Sequence, residues 1–166
     1  YSLDYRSSKA NKENCDYFVS IHMNSSTNKS AKGVEVWVYD EKSKLYTLSK
    51  DICTNLSKAI NTPNRGVKIS KNFSVLKKTK MPALLIEIDF ISNTSVEASL
   101  KSDIYIKNIA TSISKSLLAF VNKSIVDDGI FYRVCIGEFK DMSTAVEIKN
   151  TAISKGFNNT HIINSL

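Results

Sequence analysis

The sequence predicts an α/β domain built on a mostly parallel sheet covered by helices on both faces, with a small βαβ appendage at its C-terminal end. Three observations lead there. Short β-rich runs alternate with stretches whose apolar residues recur every three or four positions, the pattern of strands joined by amphipathic helices. The run Ala83-Leu84-Leu85-Ile86-Glu87-Ile88 is apolar on both faces, as expected of a central strand with helices on either side. Asp127-Asp128-Gly129 then interrupts the pattern, and the charge balance changes there as well. The expected organisation is a domain over residues 1–123, a linker at 124–129 and the appendage at 130–166.

Taken in order, Asp4 is expected to cap a helix running to about Glu13. Tyr17-Phe18-Val19-Ser20-Ile21-His22 reads as a buried strand that ends in the polar loop Asn24-Ser25-Ser26-Thr27-Asn28. Gly33 to Tyr39 reads as a second strand. From Glu41, the residues Leu45, Leu48, Ile52, Leu56 and Ile60 mark an amphipathic helix, which Thr62-Pro63-Asn64-Arg65-Gly66 stops. Phe73-Ser74-Val75-Leu76 is expected as a short strand before the central one. A short helix follows the loop at Ser92-Asn93. A long helix from about Ile104 to Val121 then carries the stripe Ile106, Ile109, Ile113, Leu117 and Phe120. In the appendage, a strand over Ile130 to Phe139, a helix over Ser143 to Lys155 and a strand at Thr160 to Ile163 are expected.

Composition bounds the function. In 166 residues, 42% hydrophobic, the chain has enough apolar side chains for a core, and no apolar run reaches the roughly 18 residues of a membrane span. No secretion signal is visible in the first residues. The net charge of +7 comes from 20 Lys and only three Arg (Arg6, Arg65, Arg133). Residues 1–123 hold 19 basic and 11 acidic residues, whereas 124–166 hold 4 and 5. Base readers favour the planar fork of Arg, so nucleic acid is not the expected partner; a Lys-dominated field suits solubility, as a solvated face, or a polyanionic surface. Cys15, Cys53 and Cys135 form no CxxC pair and are expected as packing residues.

Two residues stand out chemically. His22 lies at the polar end of a buried strand, where sites gather in open α/β sheets, although a satisfied structural histidine is the plainer alternative. Glu87 lies inside the most apolar run of the chain, where a carboxylate is costly without a cation, a metal or a hydrogen-bond network. Asp89 is expected on the same face, near the strand end and exposed. His161 is expected to be a peripheral structural residue.

The words around these residues occur in a recognisable order: Ser20-Ile21-His22-Met23-Asn24-Ser25, Gly33-Val34-Glu35-Val36, Arg65-Gly66-Val67-Lys68, Val75 through Glu87, and Phe90-Ile91-Ser92-Asn93. Together with Leu3-Asp4-Tyr5-Arg6 to Ala10-Asn11, they resemble the amidase 3 family of zinc-dependent N-acetylmuramoyl-L-alanine amidases over residues 1–122. The resemblance implies hydrolysis of the amide between N-acetylmuramic acid and the stem peptide of bacterial peptidoglycan, at the cell wall or outside the cell, by an autolysin or endolysin. It implies His22 as a Zn2+ ligand, Glu87 as the catalytic acid/base and Asn24 as a substrate contact. The family's other two ligands, a His in an early Gly-His turn and a Glu on the next helix, have no match; neither Glu13 nor His161 replaces them. Asp89 stands where the family usually has Gly. With no initial Met, the sequence is expected to be part of a longer enzyme, the alternative being a non-catalytic wall-binding copy of the fold.

The segment Phe131-Tyr132-Arg133-Val134-Cys135-Ile136-Gly137-Glu138-Phe139, with Ala145 and Gly156-Phe157 after it, resembles one half of a sporulation-related (SPOR) repeat. That resemblance implies binding to glycan strands; a packing extension of the first domain is the alternative.

Overall fold

The computed structural model describes residues 2–128, 141–157, 160 and 162. Two compact units result, residues 1–130 and 131–166. In the first, the elements run α1 (Leu3–Lys12), β1 (Phe18–Asn24), β2 (Val34–Val38), α2 (Tyr46–Ala59), β3 (Asn64–Ile69), α3 (Ser74–Lys78), β4 (Ala83–Phe90), α4 (Thr94–Ser99) and α5 (Asp103–Asp128). The four strands form one sheet in the order β1-β4-β2-β3. β1 pairs parallel with β4 and β2 parallel with β3, while β2 and β4 are antiparallel. The fold is thus α/β with a mostly parallel sheet flanked by helices.

Period-two alternation divides the core between the two faces of the sheet. Val34, Val36 and Val38 of β2 and Leu84, Ile86 and Ile88 of β4 pack with Leu48, Ile52 and Leu56 of α2 and Ile109 and Ile113 of α5. Ala83 and Leu85, on the other face, pack with Val75 and Leu76 of α3, with Trp37, Phe18 and Phe73 at the margin. That second cluster covers only the early part of β4. Beyond it, Glu87 is the one β4 residue that is not fully buried.

Several elements differ from expectation, each for a local reason. Ser2, not Asp4, caps α1: its Oγ accepts from the Tyr5 N–H at 3.1 Å, while Asp4 sits in the first turn and pairs with Lys78. α2 begins at Tyr46 rather than Glu41, because the Asp40 carboxylate and Ser43 hydroxyl take the Lys42 and Leu45 N–H groups into turns. The segment expected as a strand at 73–76 is the helix α3. The Phe73 carbonyl accepts from the Leu76 and Lys77 N–H groups, and among the described residues no strand lies beside it to reward its β-prone residues. β3 occupies residues that sequence alone reads only as a helix stop; it forms because β2 offers a parallel edge.

α5 continues to Asp128, so the expected linker at 124–129 is helical through most of its length. Ile106 is 45% exposed and outside the buried stripe of α5, which Ser112 and Ser116 join instead. Cys53 is buried, and burial pushes its thiol up to about 11; Cys15 is exposed, contrary to a packing role.

The second unit contributes α6 (Met142–Ser154), capped by Asp141, whose carboxylate accepts from the Ser143 hydroxyl and the Thr144 N–H. Gly156, at φ +95°, follows the last turn. The expected strands at Ile130–Phe139 and Thr160–Ile163, with Cys135 and His161, lie outside or largely outside the described residues.

Candidate active site

The register of the sheet puts the candidate residues in one transverse row. His22 of β1 is the partner of Glu87 in β4, and Glu87 is the partner of Glu35 in β2. Residues paired in register project to the same face of a sheet. This row lies where β1 and β4 approach their carboxyl ends, beyond the part of that face covered by α3.

Glu87 is half-buried, and its Oε2 is enclosed without a hydrogen-bond partner among the described residues. Burial, and then the charge of Glu35, push its carboxyl up to about 7. A carboxyl balanced between its two forms near neutral pH is suited to taking up and giving back a proton. His22 projects beside it, with Nε2 2.7 Å from the Ser20 hydroxyl on the same face of β1.

Glu35 is 5% exposed and is fully engaged. Its Oε1 accepts from Arg65 Nε at 2.6 Å, and its Oε2 accepts from Asn24 Nδ2 at 3.2 Å. Both bonds are made to a carboxylate that stands in register beside Glu87, the position from which Glu35 acts on its neighbour. Asn24 therefore belongs to the row, with its amide nitrogen on Glu35 and its oxygen accepting from the Ser25 N–H at 2.8 Å.

Sequence reading assigned no role to Glu35 or Arg65. The available signal was a carboxylate in the β-rich run Gly33-Val34-Glu35-Val36-Trp37, the same anomaly that singled out Glu87, and the rarity of Arg in this chain. Their convergence depends on β3 pairing with β2, which only the fold reveals.

Asp89 corrects an expectation. It is 0% exposed, neither at an open edge nor beside Glu87. Between the pairs His22–Glu87 and Asn24–Phe90, one residue of β1 (Met23) faces two of β4 (Ile88 and Asp89), and this bulge breaks the alternation between Glu87 and Asp89. The Asp89 carboxylate accepts from the Gly33 N–H at 2.7 Å and the Thr62 hydroxyl at 2.6 Å. Its charge, after burial, also raises the phenol of Tyr105 on α5. Asp89 thus ties the segments that lead into β2 and β3, which carry Glu35 and Arg65.

The donors present do not suffice for zinc. His22 offers one imidazole, but among the described residues no group of three His, Cys, Asp or Glu side chains could hold a metal ion. Structural and catalytic zinc sites need at least three protein ligands. The described residues do not make such a site.

The amidase 3 family, described as N-acetylmuramoyl-L-alanine amidase, matches residues 1–119. The N-acetylmuramoyl-L-alanine amidase CwlM of Bacillus licheniformis is 35% identical over 157 residues, 94% of this chain and 60% of that protein. The sporulation-specific N-acetylmuramoyl-L-alanine amidase of Bacillus subtilis is 33% identical with the same coverage. The chain thus spans about 60% of the length of these curated relatives. Among solved structures, the N-acetylmuramoyl-L-alanine amidase of Clostridium difficile 630 superposes with a TM-score of 0.68 at 29% identity, covering 74% of this chain and 66% of the other.

Proposed function

The chain belongs to the amidase 3 family of N-acetylmuramoyl-L-alanine amidases, and from that premise we propose that it carries the acid/base of a bacterial peptidoglycan hydrolase. The bond cut is the amide between the lactyl group of N-acetylmuramic acid and L-alanine. The observation that carries this reading is Glu87, a carboxyl in the central strand with an enclosed, unpartnered oxygen and His22 at its side. Glu87 takes a proton from the attacking water, and the proton passes to the L-alanine nitrogen as the C–N bond breaks. Asn24 acts through Glu35 or contacts substrate directly.

His22 is the zinc ligand this sequence offers; zinc activation requires two further donors, and metal binding is therefore measured separately from cleavage. The place of action is the cell wall or the extracellular side, and no described helix is long and apolar enough to cross a membrane. Residues 130–166 serve as a partial sporulation-related repeat on glycan strands, a reading supported by their sequence and by the apolar residues Val146, Ile153 and Phe157 exposed on and after α6.

The test, in a longer chain that supplies the two further donors, is release of new L-alanine amino termini from purified peptidoglycan, with and without chelator. Glu87→Gln is expected to abolish release while leaving metal uptake unchanged, and His22→Ala to lose both. Full release by Glu87→Gln overturns the role of Glu87. New reducing sugar ends without new amino termini overturn the choice of bond.

A further inference from the structure

Arg65 is held in an unusual way for a surface-strand cation. Its Nε is committed to the buried Glu35, and its guanidinium lies 5.1 Å from the centre of the Phe90 ring. Its aliphatic stem occupies a slot that exists because residue 33 is glycine: a Cβ there would fall 2.7 Å from both Cγ and Cδ of Arg65. Gly33 is itself fixed by Asp89 through its N–H. Three separate contacts thus orient one side chain, yet that side chain remains 43% exposed.

A simple counter-ion for Glu35 needs none of this. Arg presents five N–H donors, and the two Nη groups form an end-on fork that matches a carboxylate. Among the described residues neither Nη has a hydrogen-bond partner; only Nε is used. The fork is pre-oriented and left open, beside the row that contains Glu87.

We propose that Arg65 is a specificity residue that binds a free carboxylate of the stem peptide on the alanine side of the scissile amide. The inference rests on the amidase reading of the site. Arg65 rises from β3, two strands from β4, but reaches back to Glu35 on β2, the strand next to β4, so at about 4.8 Å per strand its fork stands roughly 5–10 Å laterally from β4. An extended chain covers about 3.4 Å per residue, so the carboxylate belongs to the second or third stem residue. The second residue of stem peptides is a γ-linked glutamyl unit whose α-carboxyl is either free or amidated, and Arg65 selects the free acid.

Two synthetic peptides with an N-terminal lactoyl-L-alanyl-γ-glutamyl unit, one with the free α-carboxyl and one with the carboxamide, are titrated into the protein and followed by NMR. The acid is expected to bind about tenfold more tightly, as for a charge-assisted pair replaced by a neutral one. Arg65→Lys keeps the counter-charge for Glu35 but loses the fork, and is expected to reduce the preference to about threefold or less. The double variant E35Q/R65Q, which leaves no unpaired buried charge, is expected to remove it. Equal binding of both peptides by the wild type, or the full preference in folded Arg65→Lys, overturns the proposal, as does failure to bind either peptide. Failure of the amidase reading is seen elsewhere, as absence of new L-alanine amino termini, so the two failures are distinguishable.

Discussion

Glu35 and Glu87 stand directly opposite each other across the antiparallel β2–β4 pair, and of the two only Glu35 has a cation bonded to it among the described residues. Like charges in register destabilise a sheet, so the pair is tolerable only if one member is neutralised by a partner and the other can bind a proton.

That relationship makes stability depend on pH through Glu87. Its folded pKa is about 7 against an ordinary value of 4.5, so between these pH values the folded state holds a proton that the unfolded state has lost. In the metal-free protein, the stabilisation is fully present below about pH 4.5 and is lost as pH rises through about 7. Its size is below about 3.4 kcal/mol, reduced further by solvent screening of a half-buried group. Urea unfolding across this window is expected to show stability falling with pH from this group, and Glu87→Gln to flatten that component. An unchanged profile in Glu87→Gln would show that the slope comes from elsewhere.

Asp89 predicts a structural defect with a functional consequence. Replacement by Ala leaves the Gly33 N–H and Thr62 hydroxyl without their acceptor and is expected to cost about 2–4 kcal/mol. Chemical denaturation measures the loss. Because those bonds lead into β2 and β3, hydrogen exchange is expected to rise there before it rises in α2.

Two glycines with positive φ separate strain from collision. Gly66, at φ +80°, has open space within 4 Å of the position a methyl group would take, whereas at Gly33, φ +123°, that position lies 2.7 Å from Arg65 and from the Pro63 carbonyl. Gly66→Ala is expected to cost about 1 kcal/mol from backbone conformation alone. Gly33→Ala is expected to cost at least about twice that and to displace Arg65, so that peptide binding weakens as well. Thermal melts of the two variants side by side decide the matter; similar losses would contradict the slot.

In the core, Leu56 is 0% exposed between α2 and the sheet, and Leu56→Ala is expected to destabilise by about 3–5 kcal/mol. Ile104, at 74% exposure near the start of α5, provides the contrast: Ile104→Ala should lie within about 0.5 kcal/mol of wild type. Equal effects would overturn the assignment of the core to the α2 face.

Much was legible because the signals are local. The three- and four-residue spacing from Leu45 to Ile60 marks α2, and all five of those positions are buried. The apolar run around Glu87 marks the central strand, and the cost of a carboxylate there identifies the residue on which the site is centred. Local signals fail where a neighbour decides. Phe73 to Leu76 has β-prone residues but no strand to pair with among the described residues, and so closes into a helical turn; Asn64 to Ile69 looks like a stop but meets the edge of β2.

By itself, then, the sequence determined the α/β class, the order of most elements and the chemical oddity of His22 and Glu87, since periodicity and the energetic cost of burying charge are properties of short stretches. The tertiary structure alone decided that Glu35 faces Glu87, that Arg65 reaches Glu35 past Gly33, and that Asp89 turns away to tie two strands together. Those outcomes depend on strand order, register and a single bulge. Each brings together residues up to 56 positions apart, as Gly33 and Asp89 are, and no local pattern records such a pairing.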